Sequence, residues 1–130
     1  LGLKTEIVGV VSAHAMAYFD SFSSKRLVES AVSTQLADGM ACRVPEVDAL
    51  EIIWRGVERV VAVTDSEVAA AMRILFESTH NTCEGAGAAA TAAAIQERSR
   101  TQGRKIAVIV SGGNVDGNIF ASVLNGKSDF

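Results

Sequence analysis

The feature that most constrains this chain is the run Ile106-Ala107-Val108-Ile109-Val110, followed at once by Ser111-Gly112-Gly113-Asn114-Val115-Asp116. An unbroken apolar run of this length predicts a strand buried on both faces, as in a parallel sheet. A small hydroxyl residue and two glycines at its C-terminal end let the backbone approach a ligand closely. In open α/β sheets, ligands bind at the carboxyl ends of the strands. A second such place, Cys83-Glu84-Gly85-Ala86-Gly87, opens the alanine-rich segment Ala88 to Ile95. Together the two places predict a small-molecule site.

The rest of the chain supplies elements for such a sheet. Glu6 to Val11 reads as a buried strand. Ser12 to Tyr18 is predicted to start a helix capped by Ser12, and Phe19 to Ser33 is polar and Ser-rich, with weak helical periodicity. Gln35 to Met40 reads as a loop, and Pro45 as a break. Val47, Leu50, Ile53 and Trp54 have helical spacing, with Gly56 as the expected C-cap. Val57 to Val63 is β-branched and predicts a strand. Thr64 with Glu67 three residues on matches a capping box, and Val68, Met72, Leu75 and Phe76 then line one helical face. Glu84 to Arg100 predicts a helix ended by Gly103, and Lys105 to Val110 the next strand. Asn118 to Leu124 reads as a short strand or helical turn, and Asn125 to Phe130 as a polar tail. Leu1-Gly2 ahead of the first strand resembles a helix end and an αβ loop, so the chain is expected to start within a fold. The alternation predicts an α/β fold, three-layer αβα, with a mostly parallel sheet, as one domain over residues 1–130.

Composition excludes several functions. Nearly half the residues are apolar, the net charge is −3, and the charged fraction is ordinary, so the chain is globular. No Lys/Arg stripe is interleaved with aromatics, which argues against nucleic acid as a partner. No stretch is long and apolar enough to span a bilayer, and no signal peptide is visible. Cys42 and Cys83 lack paired spacing, so they are expected to be reduced, buried and cytoplasmic. His14 and His80 have no ligand-spaced neighbours, and no metal site is expected. His14, near a strand end, is a minor candidate for approaching the site.

Three segments carry a family resemblance. Leu36-Ala37-Asp38-Gly39, Glu84-Gly85-Ala86-Gly87-Ala88 and Ser111-Gly112-Gly113-Asn114 resemble, in order and spacing, motifs of the pyridoxal-phosphate-dependent fold type II (tryptophan synthase β-like) enzymes. Within that superfamily the threonine dehydratase and serine racemase group is most similar, over about Thr5 to Asp116. The resemblance implies pyridoxal 5'-phosphate as cofactor of the complete parent protein, whether or not this piece binds it. It implies that Ser111, with Gly112 beside it, meets the pyridine nitrogen. A hydroxyl can donate to an unprotonated ring nitrogen, whereas an Asp would favour the pyridinium. Without the resemblance, Ser111 reads equally as a helix cap after a strand. Glu84 either lies near the cofactor face or simply complements the helix dipole. Gly39 either lines the pocket or is an ordinary turn glycine. Asn114 and Asp116 read as loop residues satisfying local backbone groups.

Two departures from the family pattern bear on activity. The family's Schiff-base lysine sits in a Ser-Phe-Lys-x-Arg-Gly segment, and none of Lys4, Lys25, Lys105 and Lys127 has that context. The glycine-rich phosphate loop is also missing. No catalytic residue is therefore assigned in this chain, and it is predicted to be inactive alone. Some relatives hold a divalent cation with carboxylates just after the first strand, whereas Val11 to Ala17 contains none, so that metal site is predicted absent. The expected identity is the C-terminal portion of a pyridoxal-phosphate-binding catalytic domain. The parent reaction implied is conversion of L-threonine or L-serine to a 2-keto acid and ammonia, with serine racemisation as a neighbouring variant. The expected partners are a small amino-acid substrate and either the missing N-terminal portion or further copies of the chain, because open strand edges invite pairing. The alternative is a non-catalytic ligand-binding or fragment-complementing module. A nucleotide-binding Rossmann-like domain is disfavoured, since Gly85-Ala86-Gly87 follows no long strand and lacks the third glycine.

Overall fold

Two β-branched runs pair in parallel at the centre of the molecule: β1, Val8–Ser12, and β2, Arg59–Val63, in the register Val8 to Arg59 through Ser12 to Val63. The computed structural model describes residues 4–130, so the helix end expected at Leu1-Gly2 lies outside the described residues. Parallel neighbours need a crossover, and here it carries α1 (Ala17–Ser24), a single 3-10 turn over Asp38–Met40, and α2 (Val47–Gly56). After β2 come α3 (Asp65–Thr79), α4 (Gly85–Gln96), the one-turn α5 (Arg98–Thr101) and α6 (Gly117–Leu124). Helices therefore cover both faces of a parallel sheet, the expected α/β layering.

Alternation along the strands divides the two faces. Val8, Val10, Val61 and Val63 face a core shared with Val68, Met72, Ala88, Ala89, Ala92 and Val123. The alanines of α4 leave so little side chain that α3 and the sheet close directly onto its backbone. Phe76 and Phe120 meet edge to face at 5.4 Å and join α6 to α3. On the other face Gly9 lies against Val57 and Val60, beside α1 and α2. At the amino end of the sheet, Arg59 makes a bidentate pair with Glu97 at 2.6 and 3.0 Å, and Arg104 reaches Glu6 at 2.8 Å.

Several expectations are corrected. Ser12 does not cap a helix: it ends β1, its hydroxyl accepts the His14 N–H at 3.1 Å, and the helix begins five residues later. Strand pairing has captured it. Gly56 is the last residue of α2, with Val57 as its C-cap. The helix expected over Glu84–Arg100 breaks at Glu97, whose side chain is held by Arg59. Residues 118–124 settle as helix because Asp116 accepts the N–H groups of Asn118 and Ile119, at 2.8 and 3.3 Å. The largest departure is the run that reads most clearly as a buried strand. Residues 106–110 pair with nothing among the described residues, and Ile109 is 78% exposed. A buried parallel strand needs neighbours on both sides, and the described residues place none there. Cys83 is buried as expected, but Cys42 is only half-buried.

Candidate functional site

The three motifs are far apart in sequence, and the fold presses them together through glycines. Gly85 opens α4, and the space its Cβ would fill is occupied by the Leu36 carbonyl, with the Ala37 Cα 3.2 Å away. A Cβ on Gly39 would stand 3.1 Å from the Ala86 methyl. A Cβ on Gly87 would meet the Gly112 carbonyl, and one on Gly112 would meet the Glu84 carboxylate. The Glu84 N–H donates to the Gly112 carbonyl at 3.1 Å, and a Cβ on Gly113 would stand 2.8 Å from the Thr82 carbonyl. At Gly85, Gly87 and Gly113 a backbone lies where a side chain would be, and at Gly39 and Gly112 a neighbouring side chain does. The result is one interlocked cluster around the N-terminus of α4, just beyond the carboxyl ends of the strands.

Ser111 is exposed on this cluster and lines a cavity of about 480 Å³ with Thr79, Asn81, Thr82, Gly112 and Gly113. A larger cavity of about 550 Å³ opens on the opposite face of the sheet, against Gly9 and Val11, with Gly39, Asp38, Tyr18 and Cys42 in its wall. The structure thus brings Ser111, Gly112 and Glu84 together. Gly39 joins them only through Ala86, and it faces the second cavity. His14 lines neither cavity. Asp116 caps α6 and lines neither cavity. Cys83, next to Glu84, has its thiol pushed up by burial and by the Glu84 charge, so it stays protonated at neutral pH. Among the described residues no three His, Cys, Asp or Glu side chains converge as a metal site would require.

Sequence reasoning missed the anchor of the first motif. Asp65, 3% exposed at the start of α3, accepts the Thr34 hydroxyl at 2.7 Å and the Gln35 N–H at 2.9 Å. Thr34 in turn accepts the Ala37 N–H at 3.0 Å. A carboxyl beside an N-cap reads as a dipole partner, and no pattern in the sequence signals that it is buried.

A family model described as "Pyridoxal-phosphate dependent enzyme" matches residues 1–112, which take in the first two motifs and the Ser111-Gly112 start of the third. The chain belongs to that family. It is 30% identical over 122 residues to the L-threonine ammonia-lyase of Thermotoga maritima, covering 94% of this chain and 30% of that one. Against the L-threonine ammonia-lyase of Geobacter sulfurreducens it is 37% identical over 110 residues, covering 85% and 27%. Its backbone superposes on the processed form of threonine deaminase isoform 2 from Solanum lycopersicum with a TM-score of 0.86 at 24% identity, covering 96% and 35%, a likeness of fold. The chain thus spans about a third of the length of the relatives it matches.

Members of the pyridoxal-phosphate dependent family carry that cofactor, and the residues present can be tested against it. An exposed serine hydroxyl over a backbone stripped of side chains suits one edge of a flat heteroaromatic ring. No lysine lines either cavity, so the aldehyde end has no partner here. Lys25 and Lys127 lie over the rings of Phe22 and Phe130, at 4.3 and 4.8 Å. The chemistry of the cluster, a hydroxyl beside close-packed glycines, is that of a site for the ring-nitrogen edge of such a cofactor.

Proposed function

We propose that this chain is the C-terminal portion of the cofactor-binding domain of a threonine/serine dehydratase, with its Schiff-base lysine outside these residues. The reaction is removal of the α-proton from L-threonine or L-serine, loss of the β-hydroxyl as water, and hydrolysis of the released enamine to a 2-keto acid and ammonia. Pyridoxal phosphate supplies the electron sink. This chain supplies the ring contact: Ser111 donates to the pyridine nitrogen, Gly112 lets the ring approach, and Glu84 lies behind Gly112. Gly39 acts at one remove, holding Ala86 and so α4.

The observation that carries the reading is the contact of Glu84 and Gly87 with Gly112, which sets Ser111 at the mouth of a cavity. The similarity to L-threonine ammonia-lyases supplies the substrate class. The exposed run 106–110 favours a partner that carries the rest of the fold, and a second copy of this chain is the competing occupant. Two free cysteines support a cytoplasmic setting.

The test measures 2-keto acid released from L-threonine and L-serine, with pyridoxal phosphate, by the protein from its native source and by the 130-residue chain alone. The native protein is expected to turn over and the chain alone to be silent, with Ser111→Ala in the native protein weakening cofactor binding. A silent native protein that still binds the cofactor through Ser111 sinks the lyase reading. It leaves the second one, a non-catalytic module, which the lysine-free cavities favour. Interconversion of L- and D-serine without keto acid would make the parent a racemase.

A further inference from the structure

We infer that Asp65 is a positioning residue for the cofactor cluster, acting on Ser111 through a relay of backbone contacts; this rests on Ser111 and Gly112 being the cofactor contact. Asp65 lies at the first turn of α3 and is almost fully buried. Its two oxygens hold successive residues of one loop, the Thr34 hydroxyl at 2.7 Å and the Gln35 N–H at 2.9 Å. The Thr34 hydroxyl passes the constraint on by accepting the Ala37 N–H at 3.0 Å. Leu36 and Ala37, fixed between these bonds, are the residues whose backbone fills the space in front of Gly85. Gly85 starts α4, and Glu84 just before it and Gly87 two residues after it are those that seat Gly112.

Every link in this chain is a close contact with no slack. Packed backbone transmits displacement because it cannot compress. A shift of the 34–37 loop must therefore move the N-terminus of α4 or open a gap beside Gly85, and either displaces Gly112 and the adjoining Ser111. The helix-capping work at this end of α3 belongs to its neighbours: Thr64 accepts the Glu67 N–H, and Glu67 accepts the Thr64 N–H. Asp65 is thus left to the loop.

The variants follow from the bonding. Asp65→Ala removes both acceptors. Asp65→Asn can turn its amide oxygen to the Gln35 N–H and its NH2 to the Thr34 oxygen, so it should rescue. Thr34→Val breaks the relay from the other side and leaves the Asp65–Gln35 bond, which keeps the test alive if Asp65→Ala fails to fold.

The first readout is the amide resonances of Gly85, Gly87 and Gly112 in 15N-labelled whole protein without cofactor. Asp65→Ala and Thr34→Val should move all three in the same direction, with Asp65→Asn near wild type. In the reconstituted lyase the same two variants should weaken pyridoxal phosphate about ten-fold, with kcat at saturating cofactor kept, a loss of about 1.4 kcal/mol of binding. Shifts confined to residues 34–37 and 64–68, with Gly112 unmoved, would overturn the inference. So would an Asp65→Asn protein as perturbed as Asp65→Ala. The amide readout needs no turnover, so failure of the lyase reading leaves it intact and separately decidable.

Discussion

At the residue scale, the site is made by glycines that do unequal work. Gly85→Ala drives a methyl into the Leu36 carbonyl, inside a packed backbone contact. It should destabilise the protein by about 1–3 kcal/mol, the usual range for overpacking. Gly117, at the start of α6, has open space where a Cβ would go and an ordinary backbone, so Gly117→Ala should be neutral or stabilise by about 0.4–1 kcal/mol. Urea unfolding of the two variants side by side checks the contrast. The sequence singled out Gly85, Gly87 and Gly112 because glycines at strand ends and helix starts are rarely there for flexibility alone. It was silent on Asp65 and Thr34, because a buried hydrogen bond between residues about thirty apart leaves no local pattern.

At the element scale, local signals were read well where the element is closed by neighbouring residues. The capping box of α3 forms as its spacing predicts, with the Thr64 N–H to Glu67 Oε2 distance at 2.8 Å. Thr64→Ala should cost about 1 kcal/mol in the same unfolding assay. Elements that depend on distant partners were read less well. The break between α4 and α5 lies at Glu97, which Arg59 holds from β2. That pair gives a pH signature. The hydrogen bond from Arg59 holds the Glu97 carboxyl below its ordinary value of about 4.5. A carboxyl depressed in the folded state contributes stability that is fully present above its unfolded value and is lost as pH falls through its folded value. Glu97→Gln should therefore lower stability by about 1 kcal/mol at neutral pH. The gap between variant and wild type should close on acidification below the usual carboxyl range, and denaturant midpoints at both pH values test this.

At the scale of the whole molecule, the run 106–110 was read correctly for what it wants and wrongly for what it has. Its composition asks for burial on both faces, while Ile106, Val108, Ile109 and Val110 are 40–78% exposed. Periodicity reports the preference of the run for burial and says nothing of which residues lie beside it. The chain alone should therefore self-associate, and Ile109→Lys should reduce that association while leaving far-UV circular dichroism unchanged, as read by sedimentation and spectra. The proposed function turns on a similar point: Ser111 and Gly112 are proposed to meet the ring end of the cofactor, and no lysine lines either cavity. The most direct measurement is borohydride reduction of the native protein with pyridoxal phosphate, followed by mass mapping of the lysine that retains it. The account predicts a lysine outside these residues, with labelling weakened by Ser111→Ala. Cofactor fixed on Lys4, Lys25, Lys105 or Lys127 in an active protein would contradict it.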